Sequence, residues 1–189
     1  LVLASSSRYR RSLLERLRLP FSCASPDIDE SALDGEHPRA TALRLAENKA
    51  RAIGAVYAEA HIIGSDQVAV LDGKPLGKPG THDAALAQLL AVRGRSVVFH
   101  SAVCLLNAHS GRSHVEEVPT TVYFRRYTRT QAARYLEIEK PYDCAGSAKI
   151  ESLGIALVER VDSTDPTALI GLPLIVLVSM LKNIGVEII

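Results

Sequence analysis

An α/β fold with a mixed sheet is predicted by three observations. Short apolar runs of strand length alternate with amphipathic segments of helix length along the chain. Two β-rich runs, residues 96–106 and 114–124, follow one another without a helix and read as a hairpin joined around Ser110-Gly111. No repeat, low-complexity tract or linker breaks the 189 residues, so one domain over residues 1–189 is expected, bilobed around a cleft.

Taken in order, Leu1-Val2-Leu3-Ala4 reads as a short buried strand. Ser5-Ser6-Ser7 offers N-cap candidates for a helix to about Arg18. Residues 21–24 form a second short strand, and residues 25–37 a polar, acidic loop. Pro38 opens an amphipathic helix to about Ala58. A strand follows around Asp66, and Asp72-Gly73 turns the chain back. Thr81 caps a helix to about Val92, and Thr128 caps one to about Glu137. A last strand is expected over residues 155–161 and a last helix over residues 172–183.

Composition narrows the function classes. A net charge of +1 gives no nucleic-acid or membrane signature. The most apolar run, residues 168–181, is too short to span a bilayer and contains Gly171 and Pro173. Cys23, Cys104 and Cys144 are odd in number, widely spaced and lack metal-ligand spacing, which suits a reducing cytoplasm. The chain opens on Leu1 rather than Met, so a short preceding piece is expected, and no signal peptide is visible.

Chemistry is signalled by charges that break the apolar pattern. Asp66 lies inside the run His61-Ile62-Ile63-Gly64-Ser65-Asp66-Gln67-Val68-Ala69-Val70-Leu71, where a carboxylate is costly to bury without a cation, a metal or donors. A structural ion pair with an arginine is the plain alternative. Gly64 leaves room for a ligand or another backbone. Lys49 sits in the apolar stripe of Ala42, Leu45, Ala46 and Ile53, so it either snorkels or meets an anion. The junction Ala4-Ser5-Ser6-Ser7-Arg8-Tyr9-Arg10-Arg11 joins helix-start N–H groups, hydroxyls and guanidinium groups, as a phosphate cradle does. It also reads as a capped helix with a solvated basic face. Leu76-Gly77-Lys78-Pro79-Gly80 lacks the spacing of a P-loop, yet its lysine could reach a phosphate. In residues 143–154, small residues and glycines allow close approach of a ligand, and Lys149 and Glu151 would alternate out of the segment. Both of these last two stretches also read as surface loops. Together the anomalies point to a polyphosphate with a metal. No HExxH pair or Gly-x-Ser-x-Gly elbow supports a zinc site or a serine hydrolase.

An ordered set of motifs runs through the chain: Leu3-Ala4-Ser5-Ser6-Ser7 with Arg10, Asp27-Ile28-Asp29-Glu30, Arg44-Leu45-Ala46-Glu47-Asn48-Lys49-Ala50, Gly64-Ser65-Asp66-Gln67, Gly77-Lys78-Pro79, Cys144-Ala145-Gly146 and Ile170-Gly171-Leu172-Pro173-Leu174. In content and order it resembles the Maf family of nucleotide pyrophosphatases over essentially the whole length. The resemblance implies an α/β fold with a deep cleft and metal-dependent hydrolysis of a nucleoside triphosphate to the monophosphate and pyrophosphate. It casts Asp66 as proton acceptor for the attacking water and Ser5, Arg10, Lys49 and Lys78 as phosphate ligands. Glu30 and Asp66 are expected to help hold a divalent cation, magnesium or manganese.

Tyr9, Gln67 and Glu151 resemble the family's 7-methyl-GTP branch, whereas the thymidine/uridine branch has arginine, threonine and glutamine there. The chemistry agrees. Methylation at N7 makes the purine cationic, which suits an aromatic face and a carboxylate acceptor. Two departures stand out: Tyr9 replaces the branch's usual tryptophan, and His100-Ser101-Ala102 replaces a segment containing threonine. A dTTP/UTP pyrophosphatase and a nucleotide-binding regulator of cell division are the competing readings. The partner expected is the nucleotide, with no nucleic acid or membrane, and a homodimer stays open.

Overall fold

The structure, a computed structural model, describes residues 1–189. In chain order it runs β1 (Val2–Ala4), α1 (Arg8–Glu15), β2 (Ser22–Ala24), α2 (Pro38–Gly54), β3 (His61–Leu71), β4 (Lys74–Leu76), α3 (His82–Val92), β5 (Ser96–Asn107), β6 (Ser113–Phe124), α4 (Arg129–Glu139), β7 (Val158–Ser163) and α5 (Leu174–Asn183). The seven strands form one sheet in the order β2-β1-β3-β5-β6-β7, with β4 paired to β3. Leu3 of β1 lies opposite Cys23 and Ile63 in parallel pairings, while β3–β4 and β6–β7 are antiparallel, so the sheet is mixed as expected. The parallel neighbours are reached through α1 and α2, because a parallel return needs a crossover.

The helix starts follow their sequence signals. Of the three serines, Ser7 caps α1 by accepting from the Arg10 N–H. His37 caps α2 with a ring nitrogen ahead of Pro38, and Thr128 with Gln131 closes a capping box on α4. Several boundaries differ from expectation. Helix α1 stops at Glu15, with Arg18 turning the chain at φ +55°, and α2 stops at Gly54 rather than near Ala58. Asp72 and Gly73, at φ +49° and +77°, form a tight left-handed turn. That turn adds β4, a strand that residues 74–76 did not announce because Pro75 suits only an edge.

The last strand runs over Val158–Ser163 instead of residues 155–161. Residues 153–157 are instead a 3-10 turn, with Gly154 so tight on Lys149 that a Cβ would lie 2.4 Å from the Lys149 carbonyl oxygen. Ile155 is left exposed by that turn. The last helix starts at Leu174, because Ala168–Ile170 is a separate 3-10 turn ended by Gly171 at φ +122°.

The chain divides into two compact units, and the division falls within β3, β5 and β6. The first comprises Leu1–Gln67, His100–Val118 and Thr164–Ile189. On one face of its strands, Leu3, Ile63, Val103 and Leu105 pack with Leu13 and Leu14 of α1 and Leu177, Met180 and Leu181 of α5. The opposite face carries α2. There Gly64 lies so close to the helix that a Cβ would meet the Ala46 carbonyl oxygen at 2.1 Å. Gly64 therefore admits a backbone, the second of its two expected roles. The second unit comprises Val68–Phe99 and Pro119–Ser163. Its core includes Leu86, Leu89 and Val92 of α3 and Tyr135 and Leu136 of α4, and the Tyr127 hydroxyl donates to the Leu89 carbonyl at 2.7 Å.

Candidate active site

Strand β3 alternates its side chains between two faces, and its three polar residues divide accordingly. Asp66 points toward α2. Ser65 and Gln67 point the other way, toward the 168–171 turn. Lys49 of α2 is buried, with only 5% of the residue exposed, and Asp66 is 6% exposed. The Lys49 ammonium reaches the Asp66 carboxylate at 2.7 Å and the Glu30 carboxylate at 2.7 Å. The two charges that broke the apolar pattern thus meet each other. The cation paired with Asp66 is a lysine, not the arginine that a structural ion pair was expected to use.

Arg10 belongs to the same charge cluster. Its Nε donates to the Gly171 carbonyl at 2.9 Å. Burial pulls the guanidinium below its ordinary value, and the carboxylates of Asp66 and Glu30 oppose that pull. Two carboxylates, one ammonium and one guanidinium therefore balance locally. An arriving polyphosphate would find two cations already held by weaker-charged partners.

Ser5 is buried at the β1–α1 junction, where its hydroxyl accepts from the Ser7 N–H at 3.1 Å. Gln67 uses its amide N–H group on Ser101 Oγ at 2.8 Å and on the carbonyls of Ala168 and Leu169, each at 3.0 Å. Its donors are committed to the protein, and its carbonyl oxygen is the end left for a ligand. Tyr9 is half-buried, with the Arg8 guanidinium 4.8 Å above its ring centroid. That ring face already attracts a delocalised cation.

Lys78 and Glu151 lie in the second unit, and both are exposed. The Lys78 turn is pinned on either side: Gln88 Nε2 donates to the Gly77 carbonyl at 2.9 Å, and the Gly80 N–H to the Tyr142 carbonyl at 3.0 Å. Glu151 follows a loop bent by Gly146 and Ser147, at φ +72° and +58°. Lys149 does not alternate outward with it but pairs with Glu139 at 2.9 Å.

The donor set suits a hard divalent cation. Glu30 and Asp66 present carboxylate oxygens to one position, taken here by the Lys49 ammonium. Magnesium is commonly held by one or two carboxylates with substrate phosphates and water completing its shell. No cluster of three or more His, Cys, Asp or Glu side chains offers an all-protein cage.

Sequence reasoning missed the residues that brace this arrangement. Asp165 is 1% exposed and accepts from the N–H and hydroxyl of Thr167 and from the Ile175 N–H, tying the 168–171 turn to the start of α5. The Asp-Pro-Thr spacing, an Asx-turn signal, could have revealed it. Ser65 donates to the same Gly171 carbonyl as Arg10, at 2.8 Å. The departure at His100 also resolves: its ring bonds the buried Glu117 carboxylate at 2.7 Å, which also accepts from Arg39 at 3.1 Å.

A family model described as Maf-like protein matches residues 1–184. A protein of Cupriavidus metallidurans named 7-methyl-GTP pyrophosphatase is 58% identical over 185 residues, covering 98% of this chain and 93% of that protein. A protein of the same name from Ralstonia nicotianae is 59% identical over 184 residues, covering 97% and 95%. One from Burkholderia thailandensis is 58% identical over 188 residues, covering 98% and 87%. No helix of the chain is long and apolar enough to cross a membrane.

Proposed function

The chain belongs to the Maf family, and on that premise we propose that it hydrolyses 7-methyl-GTP to 7-methyl-GMP and pyrophosphate. The substrate is supported by near-full-length relatives that carry that name and by Tyr9, Gln67 and Glu151. The reaction is supported chiefly by one observation: a buried lysine shared between Asp66 and Glu30.

In this reading the polyphosphate competes with the two carboxylates for the Lys49 ammonium. Arg10 and Ser5 add donors at the β1–α1 junction. Release from Lys49 leaves the Asp66 carboxylate to accept a proton from water. The water oxygen bonds to the α-phosphorus as the bond to the α–β bridging oxygen breaks, and that oxygen leaves with pyrophosphate. A magnesium or manganese ion held by Glu30, Asp66 and substrate oxygens would supply charge neutralisation on the phosphates. Lys78 as a further phosphate ligand and Glu151 as acceptor from the base are roles supported by the family pattern. Three free cysteines fit a reducing, cytoplasmic setting.

Pyrophosphate release measured across 7-methyl-GTP, GTP, dTTP and UTP tests the reading, with 7-methyl-GTP expected to give the highest kcat/KM. Faster turnover of dTTP or UTP would sink the substrate assignment and spare the reaction. Full activity in excess chelator would remove the metal.

A further inference from the structure

Resting on the reading of Glu30 as a metal ligand, we infer that Arg44 and Glu36 are positioning residues for the divalent cation, holding Glu30 beside Asp66. Glu30 lies in the stretch between β2 and α2, residues 25–37, which has no helix or strand to fix it. Its side chain is 56% exposed, yet its carboxylate sits 2.7 Å from the buried Lys49 ammonium. A long side chain on an irregular loop keeps one position only if something offsets its lost freedom.

Arg44 supplies that restraint. Its Nη2 donates to the carbonyl of Ser31, the residue after Glu30, at 3.0 Å. The Ser31 N–H in turn donates to the Asp29 carboxylate at 2.9 Å, so the turn that carries Glu30 is closed by the side chain before it and the backbone after it. Arg44 is itself held by Glu36 through two bonds of 2.7 Å, a planar fork that lysine cannot reproduce. Glu36 also accepts from the Leu33 N–H at 3.1 Å and the Thr41 hydroxyl at 2.9 Å. The fork folds the loop onto α2. Arg44 and Lys49 ride on the same helix, so the grip on Ser31 and the contact with Glu30 share one rigid frame. The Glu36 bond holds the Arg44 guanidinium above its ordinary value, with weaker pulls from Asp29 and Asp66.

The test compares Arg44→Lys, Glu36→Gln and Glu30→Gln with the unaltered protein. Two quantities are read: the Mn2+ concentration for half-maximal 7-methyl-GTP hydrolysis, and the dissociation constant of Mn2+–pyrophosphate, measured by water-proton relaxation without turnover. Arg44→Lys is expected to raise both by about 10–100-fold, the usual penalty for losing a partner that orients a metal ligand. At saturating Mn2+ its kcat should return to within about twofold of the unaltered protein, because the ligands themselves remain. Glu36→Gln should shift both quantities in the same direction, and it serves alone if Arg44→Lys does not fold. In the Glu30→Gln background, Arg44→Lys should add nothing. If Glu30→Gln weakens metal binding but folded Arg44→Lys and Glu36→Gln do not, the positioning role is overturned while Glu30 keeps its own. If Glu30→Gln leaves metal binding unchanged, both fall. A kcat loss in Arg44→Lys that excess Mn2+ does not restore also overturns it.

Discussion

Lys49 and Lys78 are both read as phosphate ligands, and they stand in opposite surroundings. Lys49 is buried on α2, closed in by two carboxylates. Lys78 is exposed on a turn whose backbone, not its side chain, is tied down. The first region holds its cation by charge and pays desolvation to do so; the second leaves its cation in water. If both bind phosphate as proposed, stability and catalysis are coupled at Lys49 and separable at Lys78.

Removing Lys49 should have the largest effect of all. Lys49→Ala leaves Asp66 buried without its cation, and breaking a buried pair from one side costs about 3–5 kcal/mol. Denaturant melts should show that loss, together with collapsed activity. Loss of activity in this variant therefore does not by itself establish phosphate binding. Lys78→Ala should melt within about 0.5 kcal/mol of the unaltered protein, as surface substitutions do, while KM for the nucleotide rises. Equal destabilisation by the two variants would erase the contrast.

Asp66→Asn separates the two couplings within the first region. The amide keeps the shape and can still accept from Lys49, so the fold should persist. It cannot take a proton from water, so turnover should fall by about two orders of magnitude or more. Near-normal pyrophosphate release would take Asp66 out of the mechanism.

The contrast also explains what the sequence could disclose. Asp66 and Lys49 were legible because an inward charge breaks an apolar period, whether of two in a strand or of 3.6 in a helix. Their pairing was not legible, because it depends on how α2 lies across β3, which Gly64 permits. Lys78 and Glu151 break no apolar pattern; glycine-containing stretches that also read as surface loops, and the family resemblance, marked them. Residues 155–157 misled because an apolar run reads as a strand, whereas the Gly154 contact with Lys149 curls it into a turn. Arg44 and Glu36 were invisible as a pair, since charges on a loop and a helix surface read as solvated.

Specificity should respond less than turnover. Glu151→Gln removes one charged acceptor and should cost about 1–3 kcal/mol of the preference for 7-methyl-GTP over GTP. Tyr9→Ala should cost about 0.5–2 kcal/mol, the range for a cation over an aromatic face. Competition between the two nucleotides measures both, and an unchanged ratio in either variant would remove that residue from base recognition.

The smallest effect is a pH dependence that differs between the regions. Arg44 chiefly, with the Leu33 N–H and the Thr41 hydroxyl, lowers the Glu36 carboxyl from 4.5 to about 2. A carboxyl lowered by folding contributes stability that is fully present above its unfolded value and lost as pH falls through its folded one. The Glu36 contribution should therefore hold above 4.5 and fade between 4.5 and about 2. On the second unit, burial pushes Glu139 upward, but bonds from Lys149, Ser152 and Leu153 outweigh it and leave a net lowering. The same sign applies, with a smaller effect expected. Thermal melts of the unaltered protein, Glu36→Gln and Glu139→Gln from neutral to acid pH isolate each contribution as a difference, so the titration of other acids cancels. The Tm gap to Glu36→Gln should narrow on acidification more than the gap to Glu139→Gln. A Glu36 gap that stays constant would mean that its fork with Arg44 contributes nothing to stability that protonation can remove.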